Sequence, residues 1–588
     1  MATTPASAPA QIGGGFLLAP TEAASVFTPE DFTDEHREIA RATEAFYTNE
    51  VAPHLEAIQH QEPGLAQSIL RKSAGLGLTA VMIPEAYGGM ELDLVSALIV
   101  TEQLARDASY AGWHGAHTGI GTLPIVLFGT AEQKQRYLPR LATAEMIAAY
   151  CLSEPHAGSD AMNLKTRADL SADGRHYILN GQKMWITNGG GADLYTVFAK
   201  VGGEQFTAFL VERSWPGVTP GAEEKKMGIK GSSTTPVYLE NVHVPVENVL
   251  GEIGRGHLIA FNILNLGRLK LGPGNVGGCK NILSVSLKYA KQRTAFGQPI
   301  GEFGMIRHKL AEMAIRTFAA ETMAYRVAGM IESKLSGFHW NLPGAAGLHM
   351  KAAEEFAAEC SYVKVFASEA LDYVADEGVQ IHGGYGYHQD YLVERAYRDA
   401  RINRIFEGTN EINRMLATGM LIKRARKGRL GLVEAVKKLQ AGLLSGAATH
   451  DLSEPGLVAS AKQAALFCLG VAYESFGDQL DKQQEVLASI TDVSMNVFAM
   501  EGCVLRTAKL RASGKGDLAA LYTSVFCREA METIESAARN VLAAASTGDA
   551  LRTNLAILRR FTKFEPVNAV ELRRAIAGRL LDANRYVV

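Results

Sequence analysis

HYILNGQKMWITNG, residues 176–189, decides what kind of fold this chain can have. Long stretches on either side carry helical periodicity, whereas this run is β-branched and aromatic. LYTVFAKV (194–201), FTAFLVE (206–212) and VYLENVHVP (237–245) share its texture. Asn180-Gly181, Gly202-Gly203 and Pro216-Gly217 separate the runs and read as turn signals. The pattern predicts an antiparallel β-domain of about 100 residues, a size at which small sandwiches and barrels are common.

Outward from that module the reading is helical. PEDFTDEHREIARATEAFYTNEV (29–51) offers Pro and acids at the start of an amphipathic run, and LDLVSALIVTEQLARD (92–107) is a second. TAEQKQRYLPRL (130–141) opens with Thr-x-x-Gln, a capping-box pattern. Beyond the β-module, segments 256–293, 304–335, 344–377 and 410–426 are long enough for an antiparallel bundle. A further helical stretch follows, large enough for a domain. The expected architecture is α+β and multidomain. It comprises a flexible N-terminal tail (1–27), an N-terminal helical domain (28–148), a central antiparallel β-domain (149–255), a C-terminal helical bundle (256–427) and an additional C-terminal helical domain (428–588).

At 588 residues the chain is too long for one core. Lys and Arg number 59 against 62 Asp and Glu, for a net charge of -3. A nucleic-acid binder needs a basic face, so the balance favours an enzyme of small molecules. Six scattered cysteines without a CxxC read as buried reduced thiols, not as a disulfide framework or a zinc site. The first 36 residues hold neither Lys nor Arg, which removes a secretory n-region and an Arg-rich transit peptide. GGGFLLAP is too short for a membrane span, and no longer apolar run of about 18 residues stands out. The expected location is cytoplasmic.

Several motifs lead nowhere. GPGNVG (272–277) matches GxGxxG, but no strand precedes it, Pro273 interrupts it, and Gln292, Arg293 and Thr294 stand where a ribose-binding acid belongs. Close helix approach is the better reading. His114, His117, His382 and His388 lack metal-ligand spacing, and no GxSxG nucleophile occurs. Three stretches resist dismissal. YCLSEPHAGSD (150–160) is either an ordinary polar loop or a seat for a hydrogen-bonding cofactor. KMWITNGG (183–190) places Trp185 before Thr187, as core anchor or ligand wall. QIHGGYGYHQDYLVERAYRDARINRIFEGTNEI (380–412) has glycines at 383, 384 and 386 that permit close backbone approach to a ligand.

In that order, and with KMGIKGSSTTPVYLENVHVPVENVLGE (226–252) and KQRTAFGQPI (291–300), these stretches resemble the flavin-dependent acyl-CoA dehydrogenases over residues 30–420. The very-long-chain subtype is nearest, through its KMGIK-type segment, an NLGR-like turn in the long helix, Phe-Gly after the arginine motif, and a C-terminal helical extension. The family often has Arg where Lys230 stands and Gln where Gly304 stands, changes that the subtype shares; at Asn413 a leucine or glutamine is commoner.

The resemblance implies FAD, an acyl-CoA substrate, an electron-transfer flavoprotein as acceptor and a homo-oligomer, at least a dimer, because the family shares its cofactor across subunits. It places Glu407 at the catalytic-base position, while the alternative position on the long helix is Gly267, which cannot take a proton. Tyr150, Cys151, Leu152, Ser153, Gly158 and Ser159 would line the isoalloxazine and ribityl site with Trp185, Ile186 and Thr187. Arg293, Phe296, Gln380, Gly383 and Gly384 match positions for the ADP half, joined by Thr409 and Glu411. Substrate contacts would be Ser159, Leu264, Asn265, Arg268, Phe406 and Gly408. No metal is implied.

By the same resemblance, a ribityl hydroxyl and the Glu407 N–H would stabilise the developing enolate. Glu407 would take the α-proton while the β-hydrogen leaves as hydride to flavin. The expected function is α,β-dehydrogenation of long-chain acyl-CoA in β-oxidation; an acyl-CoA oxidase and a non-catalytic assembly factor of the same fold are the alternatives. Chain length turns on YAGWHGAHTGIG (110–121). There Gly112, Gly115 and Ala116 either leave channel volume or let two helices pack closely, and Trp113 blocks the channel if its indole points inward. Lys423, Arg424, Arg426, Lys427 and Arg429, with Lys437 and Lys438, form a basic run that is either a solvated face or a peripheral membrane contact.

Overall fold

Strands β1 (Ala148–Cys151), β2 (Arg167–Leu170), β3 (His176–Thr187), β4 (Leu194–Val201), β5 (Gln205–Glu212), β6 (Val218–Pro220), β7 (Thr234–Pro245) and β8 (Val249–Leu250) form one eight-stranded sheet. They belong to a computed structural model that describes residues 11–445 and 451–588. The first ten residues of the expected tail, and residues 446–450 of the expected last domain, lie outside the described residues. The order is β6-β7-β3-β2-β4-β5-β8, with β1 also against β4. Five pairings are antiparallel, as expected; β1 and β2 instead run parallel to β4.

One expected turn is not a turn. Asn180-Gly181 lies inside β3, which pairs with β7 on both sides of it through a register shift between Leu179 and Gly181. Glycine is needed there because a Cβ would come within 2.4 Å of the Thr166 hydroxyl. Close approach, not chain reversal, explains the dipeptide.

The chain divides into two compact units. The first comprises Thr33–Lys270 and Leu335–Glu354 and holds the N-terminal helices with the sheet. Thr130 and Gln133 form the expected capping box at the start of the Ala131–Ala142 helix. Trp113 is 4% exposed and packs into the sheet's core beside Ala66, Leu70 and Ile147, its indole N–H donating to the Gly231 carbonyl at 3.1 Å. His114 and His117 are buried among these helices, bonded to the Leu78 and Leu141 carbonyls. Burial holds His114 well below its usual range and His117 at about 4, which suits neutral core histidines.

The second unit comprises the chain up to Phe32, Leu271–Lys334 and Glu355–Val588. Its helices include Gly304–Lys334, Ala357–His382, Asn410–Arg426 and Gln484–Ala512, and the last packs on the other three. The helices beyond residue 428 therefore share a compact body with the bundle and do not stand apart from it. Gly272, in the Gly256–Gln292 helix, sits where a Cβ would meet Val363 at 2.3 Å, so GPGNVG serves close helix packing. All six cysteines are buried. The stretch Glu454–Lys482 is long and apolar enough to cross a membrane, but 72% of its apolar window is buried, as in a core helix.

The expected flexible tail requires correction from Gln11 onward. Gly13 N–H donates to Glu355 at 3.0 Å and Gly14 N–H to Glu359 at 2.6 Å. Phe16 is buried, edge-on to Phe498 with ring centroids 5.0 Å apart. Further along, Arg506 clasps Glu30 and Lys462 donates to the Ala19 carbonyl. The segment reads as loose because its partners lie hundreds of residues away.

Candidate active site

In the first unit, β1 leaves β4 after Cys151 and β2 rejoins the same edge at Arg167, so the loop between them stands out of the sheet. Its root is an enclosed carboxylate. Glu154 accepts from the Lys165 and Thr166 main-chain N–H groups, from the Thr166 hydroxyl at 2.5 Å, and from Lys183 at 2.7 Å. Lys183 occupies an inward position of β3, where alternation would place an apolar residue. Beside it the Met184 N–H donates to the Ser153 carbonyl at 3.0 Å, tying the loop to β3.

One residue on, β3 shifts register and Trp185 adopts φ 57°, in the left-handed region, with 58% of its surface exposed. An exposed indole excludes the core-anchor reading. Ser159 and Gly158 are exposed and Ser153 and Thr187 half-buried on these same segments. An open aromatic face beside hydroxyls and loop amides suits a flat ring system with a hydrogen-bonding edge, so the residues present fit a flavin. Tyr150 and Leu152 lie mostly buried behind them. Cys151 and Ile186 stand apart: both side chains belong to the sheet's core and not to a ligand surface. Leu264 is half-buried, while Asn265 and Arg268 are buried and joined at 2.9 Å, one helical turn apart.

The second unit carries the acidic turn. Between the 3-10 turn Arg401–Arg404 and the Asn410–Arg426 helix, Glu407 has φ 56° and Gly408 φ 81°. A non-glycine residue held left-handed needs its surroundings to impose that conformation. Asn413, whose presence sequence alone left unexplained, does so: its amide nitrogen reaches the carbonyls of Gly408 (2.8 Å) and Thr409 (3.0 Å). The buried Lys364 adds a bond to the Gly408 carbonyl at 2.8 Å and one to Asn410 at 2.7 Å.

Phe406, Glu407 and Gly408 are half-buried, whereas Glu411 is exposed in the first helical turn. Its own main-chain N–H and the Thr409 side chain hold the Glu411 carboxyl below its usual range. The two glutamates of the motif thus occupy different environments.

A separate exposed surface of this unit gathers Arg293, Phe296, Gln380, Gly383 and Gly384. Phe296 caps a two-stranded hairpin at φ 52° and is 97% exposed. The Arg293 guanidinium lies 5.9 Å from the centre of the Tyr385 ring.

Sequence reasoning missed Glu154, Lys183, Lys364, Asn410 and Glu369. A lysine on the inward face of β3 and one inside the apolar run YVKVFA were the available signals.

Comparisons with known proteins follow the same divisions. Profiles described as acyl-CoA dehydrogenase N-terminal, middle and C-terminal domains match residues 33–145, 149–242 and 254–421. A further acyl-CoA dehydrogenase C-terminal domain profile matches 460–560. A probable acyl-CoA dehydrogenase of Bacillus subtilis (strain 168) is 46% identical, with 99% of each chain covered. The mitochondrial very long-chain specific acyl-CoA dehydrogenase of Bos taurus is 37% identical over 79% of this chain and 72% of its own. Among solved structures, an acyl-CoA dehydrogenase from Bacillus anthracis complexed with FAD is similar, at 48% identity and a TM-score of 0.96, covering 98% of this chain and 100% of that one.

Proposed function

The chain belongs to the acyl-CoA dehydrogenase family, and on that premise we propose that it converts long-chain acyl-CoA thioesters to trans-2-enoyl-CoA, with Glu407 as the base. The observation that carries this reading is the constrained turn at Glu407, half-buried, left-handed and clamped through the carbonyls that follow it. Such a turn points a main-chain N–H and a carboxylate in set directions, as proton abstraction beside a carbonyl requires. The Glu407 N–H donates to the thioester oxygen while its carboxylate takes the α-proton. Exclusion of water by the acyl chain raises that carboxylate's proton affinity. FAD, when bound, supplies the acceptor for the β-hydrogen as hydride.

Trp185, Ser153, Gly158, Ser159 and Thr187 would hold the ring portion of FAD. Thr409 and Glu411, with the exposed surface of Arg293, Phe296, Gln380, Gly383 and Gly384, would hold its nucleotide portion. A phenyl ring 97% exposed favours a second subunit that covers it, hence a homodimer with shared cofactor. Electrons pass to an electron-transfer flavoprotein, and the protein works in the cytoplasm. Long-chain preference is supported by the very long-chain relatives and by Gly115, where a Cβ would meet nothing within 4 Å among the described residues.

Anaerobic titration of the yellow holoprotein with acyl-CoA of graded length tests the reading. Bleaching with palmitoyl-CoA, followed by slow reoxidation in air, is expected. Fast reoxidation would identify an oxidase, and an unbleached flavin would leave the assembly-factor reading standing.

A further inference from the structure

We propose that Asp492, in the C-terminal helical extension, is a positioning residue for Glu407, acting through a relay of four side chains that ends on the Gly408 carbonyl. The inference rests on Glu407 being the base. Asp492 belongs to the Gln484–Ala512 helix and accepts from Arg414 Nε at 2.7 Å. Arg414 turns its other two nitrogens to Glu369, at 2.7 and 3.0 Å. The same Glu369 oxygen accepts from the Asn410 amide at 3.0 Å. Asn410 in turn accepts from Lys364 Nζ at 2.7 Å, and Lys364 donates to the Gly408 carbonyl at 2.8 Å.

Each link is directional. A guanidinium is a rigid fork, so two carboxylates on three of its edges fix its plane and leave it one orientation. Fixing that plane fixes Glu369, whose shared oxygen sets the Asn410 amide, and the amide's far end sets the lysine. The Asn410–Arg426 helix carries both Asn410 and Arg414, so the relay also fixes where that helix begins, directly after the Glu407 turn. The extension grips Arg414 a second time, because the Thr491 hydroxyl donates to its carbonyl. Charges along the relay alternate and cancel: Lys364 and Arg414 against Glu369 and Asp492. Burial raises the Asp492 carboxyl, and Arg414 opposes the shift. The base loop is thereby secured by a helix outside the catalytic domains.

The test uses full-length holoenzyme. Asp492→Asn is expected to lower kcat about tenfold or more, since small misplacements of a base are costly. KM for palmitoyl-CoA and FAD retention should stay within about twofold, because the relay ends on the base loop and not on a binding surface. The primary isotope effect with α-deuterated substrate should rise, and Asp492→Glu should recover much of the rate. Asp478→Asn, which removes an exposed partner of Arg426 in the same extension, serves as control and should change nothing. If Asp492→Asn does not fold, Arg414→Lys, whose ammonium lacks the planar fork that holds Glu369 through two nitrogens and Asp492 through a third, takes its place with the same expectations.

An unchanged kcat, or a parallel loss of kcat and FAD affinity, overturns the proposal. Glu407→Gln run alongside separates the two readings. Full activity in that variant removes the base assignment, whereas an inactive Glu407→Gln beside a wild-type Asp492→Asn removes the relay alone.

Discussion

The ammonium of Lys183 meets the carboxylate of Glu154 at 2.7 Å with both side chains closed off from solvent, 0% and 4% exposed. Burial alone depresses the lysine and would raise the glutamate; the attraction between them and the donors around Glu154 hold the carboxyl below its usual range. The pair joins β3 to the root of the loop carrying Ser153, Gly158 and Ser159.

Breaking one half of this pair should be costly. Lys183→Met leaves a buried carboxylate without its counter-charge and should destabilise the apoprotein by about 3–5 kcal/mol. Adding Glu154→Gln to it should recover part of that loss, since the stranded charge is gone. Denaturant unfolding of the wild type, both single variants and the double variant checks this, and a fully additive double variant would contradict it.

Glu407 and Glu411 should separate by phenotype. Glu407→Gln is expected to keep FAD and acyl-CoA binding but lose about a thousandfold in turnover, the range for a positioned base. Glu411→Gln should chiefly weaken FAD retention. Were Glu411→Gln, saturated with FAD, to show no flavin reduction, the two roles would be reversed.

The N-terminal arm should loosen as pH rises. Burial pushes Glu359 from its usual 4.5 up to about 7, with Gly14, Arg424 and Arg326 opposing. A folded-state value above the unfolded one means that the folded protein binds the proton more tightly. Stability from this group is therefore full below pH 4.5 and declines until about pH 7, above which the buried charge is a constant penalty. Protection of the Gly14–Leu17 amides, measured relative to their intrinsic exchange rates, should fall between pH 5 and pH 8. In Glu359→Gln, which still accepts from Gly14, that fall should vanish; the same fall there would refute the assignment.

Gly115 should govern acyl length. Trp113 turns into the sheet's core and does not block its neighbours, and Gly115 has space for a side chain. Gly112 and Gly121 are the ones in this stretch that serve tight packing, with the Ser232 hydroxyl 2.9 Å and Ala148 2.8 Å from their missing Cβ atoms. Each buried methylene of substrate contributes roughly 0.8 kcal/mol, so Gly115→Leu should cut kcat/KM for palmitoyl-CoA more than for octanoyl-CoA. An unchanged length profile, or a wild-type optimum at C4–C8, would end the long-chain reading.

The basic run near residue 430 is partly spent within the protein. Arg424 pairs with Glu355, and Arg426 with Asp478 and Asp481. Lys427, Arg429, Lys437 and Lys438 remain exposed, beside Val433 at 50% exposure. If they hold the protein to anionic lipid, it should float with phosphatidylserine vesicles at low salt and release at high salt. Absence of flotation at low salt would leave them a solvated face.

By itself the sequence determined whatever depends on near neighbours. Thr130 and Gln133 cap a helix from three residues apart, the 410–426 helix has the bounds its periodicity predicts, and Gly202-Gly203 turns β4 into β5. The flavin and base motifs were legible for the same reason, being contiguous words whose order resembles a family. What tertiary structure alone decided rests on partners far along the chain. Gly13 and Gly14 read as part of a tail until Glu355 and Glu359 are placed over them. Asn180-Gly181 reads as a turn until Thr166 is set against it. Asn413 has no local reason to be asparagine until the left-handed Glu407 turn presents carbonyls to it. Buried polar groups need partners, and nothing in the spacing of residues announces a hydrogen bond that spans hundreds of them.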